Sequence, residues 1–346
     1  METNTLSGQP TKYDPGSQVT EGDHVCLHRN ENLFIEDAWG EARLQSSLRN
    51  VSLSTYPDPT YLDLRTDLAE LYNVEPRNVF VGNGSDEVLA DLLALLRERY
   101  DSVHLLDACF RVYYMLAARL AYRVEVLPGE TFLRDRIEAD GAPRLAVVDS
   151  PNAITGRLAE PAELRGLAEP EGSFLIWDNA YGEYSDDGFP VPWATNVVLV
   201  RSFSKFYGLA GARLGYCIAD ADLVSELMDR KDVFNVNVFA QTLAREALRR
   251  RPEFLPLVAQ TIECRELLVS ELEALGFAVH PPSANYVLAT HPKYDAEAIR
   301  AALLERGIAV RRFDGPLTGD HIRITVPRKP VIEHLIDQLT ELLEAL

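Results

Sequence analysis

Cysteine is scarce, and the four in this chain, Cys26, Cys109, Cys217 and Cys264, lie far apart with no C-x-x-C pair and no histidine at ligand spacing. This pattern argues against a disulfide framework and a structural metal site, and points to reduced, packed thiols. Basic residues are also few: 34 Lys and Arg stand against 53 Asp and Glu, for a net charge of −19. Such a field repels phosphate backbones and anionic lipid, so neither nucleic acid nor a membrane surface is an expected partner. No apolar run reaches the ~18 residues of a membrane span, and the opening Met-Glu-Thr-Asn-Thr lacks the basic and apolar regions of a signal peptide. The expectation is a soluble cytoplasmic protein. Internal repeats and low-complexity tracts are absent too.

The chain has 346 residues, 47% of them hydrophobic, which is enough for about two domains. Residues 1 to about 25 are polar and rich in Gly, Pro, Ser and Thr, and read as a loose arm. Asp58-Pro59 offers an N-cap and first-turn proline to a helix bearing Leu64, Leu68 and Leu71 on one face, and Ser85 can cap the next helix. Short apolar runs then recur at Val103 to Leu106, Val124 to Leu127, Leu145 to Val148, Phe174 to Trp177, Val197 to Val200 and Leu214 to Ile218. Separated by helical or turn-rich stretches, they fit an α/β fold whose strands are buried on both faces of a mainly parallel sheet. After about residue 250 the pattern changes to a long amphipathic stretch from Pro252 to Leu275. Strand-like Tyr286 to Ala289, Ile308 to Arg311 and Ile322 to Val326 follow, then a closing helix from Val331, as in a smaller α+β domain. The division expected is 1–40 for the arm and part of the small domain, 41–249 for the large domain and 250–346 for the small one. Leu335, Leu339, Leu342 and Leu343 in the last helix read as core.

Three segments carry chemistry. Arg201-Ser202-Phe-Ser204-Lys205-Phe-Tyr-Gly208, with Arg213 eight residues past the lysine, places an amine nucleophile beside an anion site just beyond a buried strand. Asp178 ends another apolar strand, with Tyr181 three residues on. In an α/β sheet the carboxyl ends of strands form the ligand crevice, so Asp178 and Lys205 can approach one ligand. Gly82-Asn-Gly84-Ser85-Asp86-Glu87 offers backbone donors opening into a helix N-terminus, as an anion requires. One occupant suits all three. Its phosphate sits on Gly84 to Asp86 with Ser204 and Arg213, and its ring lies under Phe110. The ring nitrogen faces Asp178, and Lys205 binds its aldehyde carbon. That occupant is pyridoxal 5'-phosphate.

With these motifs the chain resembles the fold-type-I pyridoxal-phosphate enzymes, and within them the histidinol-phosphate aminotransferase-like group of class I/II aminotransferases. The resemblance runs from Asn30-Glu-Asn32 through Tyr56-Pro-Asp-Pro59, Gly82 to Glu87, Asp178 to Tyr181 and Ser204 to Gly215 to His321-Ile-Arg323-Ile-Thr. It implies a large domain with a mainly parallel seven-stranded sheet flanked by helices, plus the smaller α+β domain. Lys205 would carry the internal aldimine, Asp178 would pair with the ring nitrogen, and Tyr181 would donate to the ring's phenolic oxygen. Gly84, Ser85, Asp86, Phe110, Asn152, Ser202, Ser204 and Arg213 would complete the cofactor site. Tyr56 would reach the phosphate of a neighbouring subunit, which implies a homodimer with shared active sites. Arg323, Asn32 and Tyr113 would face the substrate, with His28, Arg29 and Arg111 near the same side. The implied activity moves an amino group between an amino acid or amino-alcohol phosphate and a 2-oxo acid by a ping-pong route. The alternatives are decarboxylation, elimination with cyclisation or oxidation on the same scaffold, and at a distance a non-catalytic cofactor sensor.

The chain departs from the family where relatives have an Asn-Pro-Asn-Asn-Pro-Thr-Gly-like turn: it reads Ser150-Pro-Asn152-Ala153-Ile154-Thr-Gly156. The Asn expected to donate to the phenolic oxygen is Ala153, and the proline after it is Ile154. A cis bond there would cost about 3 kcal/mol without proline, so a trans turn is expected, with Asn152 free to swing in as a substitute donor. Asn179 in place of Glu and Leu33-Phe34 after Asn32 are further departures. A missing donor to the charged form raises the proton affinity of the aldimine. Absorbance titration should therefore give Ala153→Asn a lower aldimine pKa than the natural protein, and overlaid titrations would count against this account.

Overall fold

The computed structural model describes residues 19, 24–35, 38–127, 143–185, 190–315 and 318–345. The expected loose arm lies almost wholly outside the described residues. In chain order the strands are β1 (Val25–Cys26), β2 (Val79–Gly82), β3 (Ser102–Leu106), β4 (Arg123–Leu127), β5 (Leu145–Asp149), β6 (Phe174–Asp178), β7 (Val197–Ser202) and β8 (Gly215–Ile218). Five more follow: β9 (Ala278–Val279), β10 (Tyr286–Thr290), β11 (Ile308–Ala309), β12 (Arg311–Arg312) and β13 (His321–Thr325).

Seven strands form one sheet in the order β2-β8-β7-β6-β5-β3-β4. Neighbours run parallel except at β8, which is antiparallel to both β2 and β7. β5, β6 and β7 bury every residue, as continuous Val, Leu and Ile runs require when helices cover both faces. The seventh strand, β2, is too short and too close to its glycine loop to stand out as an apolar run. Asp58 is not the N-cap of the following helix, a position that Tyr61 holds. That helix spans Leu62–Tyr72, and Asp58 accepts the Thr60 and Leu62 N–H groups at 2.9 Å from one turn earlier. Ser85 is likewise the first residue of the helix Ser85–Leu96, with Gly84 as its N-cap.

The carboxyl-terminal residues build an antiparallel sheet ordered β12-β13-β10-β9, packed against the helices Arg251–Ala274 and Ala296–Glu305, on which the helix Lys329–Ala345 packs in turn. The single run expected over Ile308 to Arg311 divides: β11 pairs in parallel with β1, while β12 pairs with β13. The two sheets are joined where the turn after β5 meets the segment before β10. Ser283 N–H donates to Gly156 O at 2.8 Å, the Tyr286 hydroxyl donates to Asn152 O, and Arg265 donates to both Tyr184 O and Ala284 O.

A glycine sets the closest approach in the large sheet. A Cβ on Gly215 would lie 2.2 Å from Ser85 N, whereas one on Gly211 would meet nothing within 4 Å. Gly215→Ala should lower stability by about 1–3 kcal/mol in thermal unfolding, because backbone must move to admit it. Gly211→Ala should stay within about 0.5 kcal/mol of the natural protein, and equal melting of the two variants would refute this packing argument.

Candidate active site

The carboxyl ends of β5, β6 and β7 lie side by side, with Asp149 opposite Asp178 and Asp178 opposite Val200. Asp178 is buried, and its carboxylate accepts from the Tyr113 hydroxyl at 2.7 Å and from Ala180 N–H at 3.1 Å. Burial pushes this carboxyl up to about 6, against the pull of its two donors. A cationic partner would restore its charged form. Tyr113, expected at the substrate, is 0% exposed, and its hydroxyl points to Asp178 instead. It sits in the first turns of the helix Val112–Arg119, three residues past Phe110, and the two rings meet edge-on at 5.7 Å.

Lys205 follows β7 by three residues. Its amine donates to Asn30 O at 3.2 Å and Arg29 O at 3.4 Å, and lies 5.4 Å from the centre of the Tyr181 ring. The Asn30 side chain donates to the Tyr181 hydroxyl at 3.1 Å. Asn30 therefore touches both groups, yet nothing in the sequence reading gave it a role. It holds the left-handed backbone that Asn tolerates, with φ 55°. Asn32 donates to Phe206 O at 2.9 Å and accepts Phe34 N–H at 3.0 Å, tying this segment to the lysine loop.

The anion cradle forms where β2, β8 and β7 align Gly82, Gly215 and Ser202 in one row. Gly84, at φ +85°, leaves the space a Cβ would take from Arg213, 2.6 Å away. Beyond it the helix Ser85–Leu96 presents first-turn amides that have no partner within the helix. Arg213 pairs with Asp86 at 2.9 Å, and Ser204 N–H donates to Ser202 Oγ at 3.1 Å. A cradle that only glycine leaves open, an amine and a buried carboxylate awaiting a cation form a donor set that fits pyridoxal phosphate.

The turn after β5 differs from expectation. Ser150–Pro151 is the cis bond and Ala153–Ile154 is not cis. Asn152 does not swing towards the ring site. Its amide donates to Ala108 O at 2.7 Å and Asp149 Oδ1 at 3.0 Å, and its carbonyl oxygen accepts from Ile154 N, Thr155 N and Thr155 Oγ1. Asp149 is buried here, and desolvation pushes its carboxyl up to about 7, opposed by the Ala153 N–H and reinforced by the like charge of Asp178.

Arg323 donates to Ala153 O at 2.7 Å and His28 O at 3.2 Å, with its guanidinium 4.8 Å from the Phe313 ring centre and 5.1 Å from that of Tyr286. Arg311 was also missed. It pairs directly across from Arg323 in β12 and β13, with its guanidinium 5.2 Å from the same Phe313 ring. The Arg311-Arg312 doublet ahead of Arg323 was the available signal. Tyr56 stands 81% exposed, stacked on Phe234 at 4.5 Å. Among the described residues no group of three His, Cys, Asp or Glu could hold a metal, and no helix is long and apolar enough to cross a membrane.

Residues 23–339 match the family model described as aminotransferase class I and II. The chain is 35% identical over 347 residues to a histidinol-phosphate aminotransferase 2 of Thiobacillus denitrificans, covering 97% of this chain and 96% of that protein. It is 34% identical over 333 residues to a histidinol-phosphate aminotransferase of Synechocystis, covering 94% and 93%. Among solved structures it resembles the histidinol-phosphate aminotransferase of Sinorhizobium meliloti in complex with pyridoxal-5'-phosphate, with TM-score 0.82, 22% identity and coverage of 93% and 91%. The L-threonine-O-3-phosphate decarboxylase of Porphyromonas gingivalis has the same TM-score of 0.82, with 23% identity and coverage of 92% and 99%.

The carboxyl of Asp178 gives a pH signature. An unfolded Asp titrates near about 4, so the folded group at about 6 holds its proton more tightly. Its contribution to stability therefore falls as pH rises through that window and is flat above it. For the cofactor-free protein, the stability of Asp178→Asn relative to the natural protein should grow by about 1–3 kcal/mol between about pH 4.5 and 7.5. A difference independent of pH would refute the burial argument.

Proposed function

The chain belongs to the class I and II aminotransferase family of pyridoxal-phosphate enzymes, and we propose that it transfers an amino group between a 2-oxo acid and an amino acid or amino-alcohol phosphate in two ping-pong stages. The observation that carries the reading is that the Lys205 amine and the Arg323 guanidinium both donate to carbonyls of the 28–30 segment, whose Asn30 also holds the Tyr181 hydroxyl, three residues past the buried Asp178 carboxylate. When bound, the cofactor supplies an aldehyde for amines and a ring that accepts an electron pair from the substrate α-carbon. Asp178 would hold a proton at the ring nitrogen, with the Tyr113 hydroxyl keeping that carboxylate oriented. The Lys205 amine would hold the cofactor and would move the proton at the substrate α-carbon, first as base and then as acid. Tyr181, whose hydroxyl accepts from the Asn30 side chain, would donate to the ring's phenolic oxygen. Gly84, Ser85 and Asp86, through the helix N-terminus, with Ser202, Ser204 and Arg213 would hold the phosphate, and Phe110 would cover the ring.

Arg311 and Arg323 lie directly opposite each other on adjacent strands, which sets two guanidinium groups at one register position, and a guanidinium can grip a carboxylate or phosphate in a two-pronged geometry. This supports a substrate with a second anionic group, one arginine gripping a carboxylate or phosphate and the other its partner. Exposed Leu53, Tyr56, Val233, Phe234 and Phe239 support self-association into a homodimer, in which Tyr56 would reach a partner's phosphate site.

A panel of amino acids tests the reaction. The cofactor spectrum should convert to a stable aminated form and return on adding a 2-oxo acid. Release of carbon dioxide with no 2-oxo acid requirement would replace transamination by decarboxylation. Lys205→Ala should abolish turnover in a folded protein, and Arg311→Ala should raise KM for doubly anionic substrates about 10-fold or more, in keeping with a lost charge-assisted bond. Near-normal rates without Lys205 would remove it from the mechanism.

A further inference from the structure

The reaction above makes no use of Asp149, yet few side chains at the crevice are engaged so fully. Oδ2 accepts Ala153 N–H at 2.8 Å and Phe110 N–H at 3.1 Å, and Oδ1 accepts the Asn152 amide at 3.0 Å. These donors come from two separate segments. One follows β3 and carries the ring-covering Phe110; the other is the turn after β5, whose Ala153 carbonyl holds Arg323. An ionised carboxylate accepts at both oxygens, whereas an amide of the same shape would turn donors against one of the three N–H groups. All three partners are uncharged donors, and among the described residues no ion pair involves Asp149. The titratable groups that face it are Asp178 from β6, Cys109 from the segment after β3, Tyr113 from the helix Val112–Arg119 and Tyr286 from β10.

We propose that Asp149 is a positioning residue of the cofactor site: it locks the Phe110 segment to the 150–156 turn and sets a second negative charge beside Asp178. This rests on the pyridoxal-phosphate reading. The lock fixes the face against which the ring packs and the carbonyl that orients Arg323. The charge favours the protonated form of any cationic group in the crevice, and it acts whenever Asp149 is ionised. Because folded Asp149 titrates at about 7, the effect grows as pH rises through neutrality.

The test reconstitutes cofactor-free natural protein, Asp149→Asn and Asp149→Ser with pyridoxal phosphate. Its readouts are the dissociation constant and the pH midpoint of the bound cofactor's absorbance band, with circular dichroism as the check on folding. The serine variant serves if the amide, which faces one donor with its own NH2, does not fold. Expected are binding weaker by about tenfold or more, as for buried donors left without an acceptor, and a midpoint lower by about half a pH unit or more. A folded variant with unchanged affinity and midpoint overturns the proposal, and weakened binding with an unmoved midpoint overturns its electrostatic half. Failure of the natural protein itself to take up the cofactor overturns the reading beneath it. Uptake by the natural protein with unaltered variants counts against Asp149 alone.

Discussion

A carboxylate at the end of a buried parallel strand is the constraint on which the site depends. The strand β6 is apolar until its last residue, so Asp178 arrives at the crevice already stripped of water. Such a group is costly unless donors or a cation meet it. Tyr113 and Ala180 N–H supply the donors, and the ring nitrogen of the cofactor would supply the cation. A carboxyl pushed up to about 6 without its partner has a reason to bind one. Cofactor binding and the stability of the fold would thereby be linked at one residue.

Behind the lysine loop lies a second buried charge with a different purpose. Arg201, near the end of β7, forms an ion pair with Glu183 and a hydrogen bond with the Asn179 side chain, and all three are buried. Asn179 also donates to Ser150 O at 2.6 Å. The group ties β7 to the segments after β5 and β6, so the loops bearing Lys205, Tyr181 and the 150–156 turn share one anchor. Burial works against the charge on Arg201, but Glu183 and its neighbours more than offset this and raise its pKa. Removing either partner would leave an uncompensated ion, which costs about 3–5 kcal/mol in comparable cases. Asn179 accepts from Arg201 without adding a second negative charge, which answers the departure from Glu at that position.

Much of this arrangement was legible because the information is local. Six strands of the large sheet announced themselves as apolar runs, most plainly β5 and β6, which are buried throughout and apolar up to their last residue. Lys205, Asp178 and the Gly84 to Asp86 loop were recognisable because each sits within a few residues of a strand end or helix start. Tyr113 and Asn152 were misplaced for a common reason. Their polar atoms find partners on other elements, Tyr113 at Asp178 and Asn152 at Ala108 O and Asp149. Proximity in sequence to Phe110 or to the altered turn could not disclose those pairings.

The sequence alone determined most of the element types and singled out the amine and carboxylate as candidates, because hydrophobic period and strand ends are properties of short segments. Only the tertiary structure decided which groups face one another. The register of β12 against β13 set Arg311 opposite Arg323, and the pairing of β5 with β6 set Asp149 opposite Asp178. Register depends on hydrogen bonds between segments remote in the chain, and a one-residue slip would send each of these side chains to the other face.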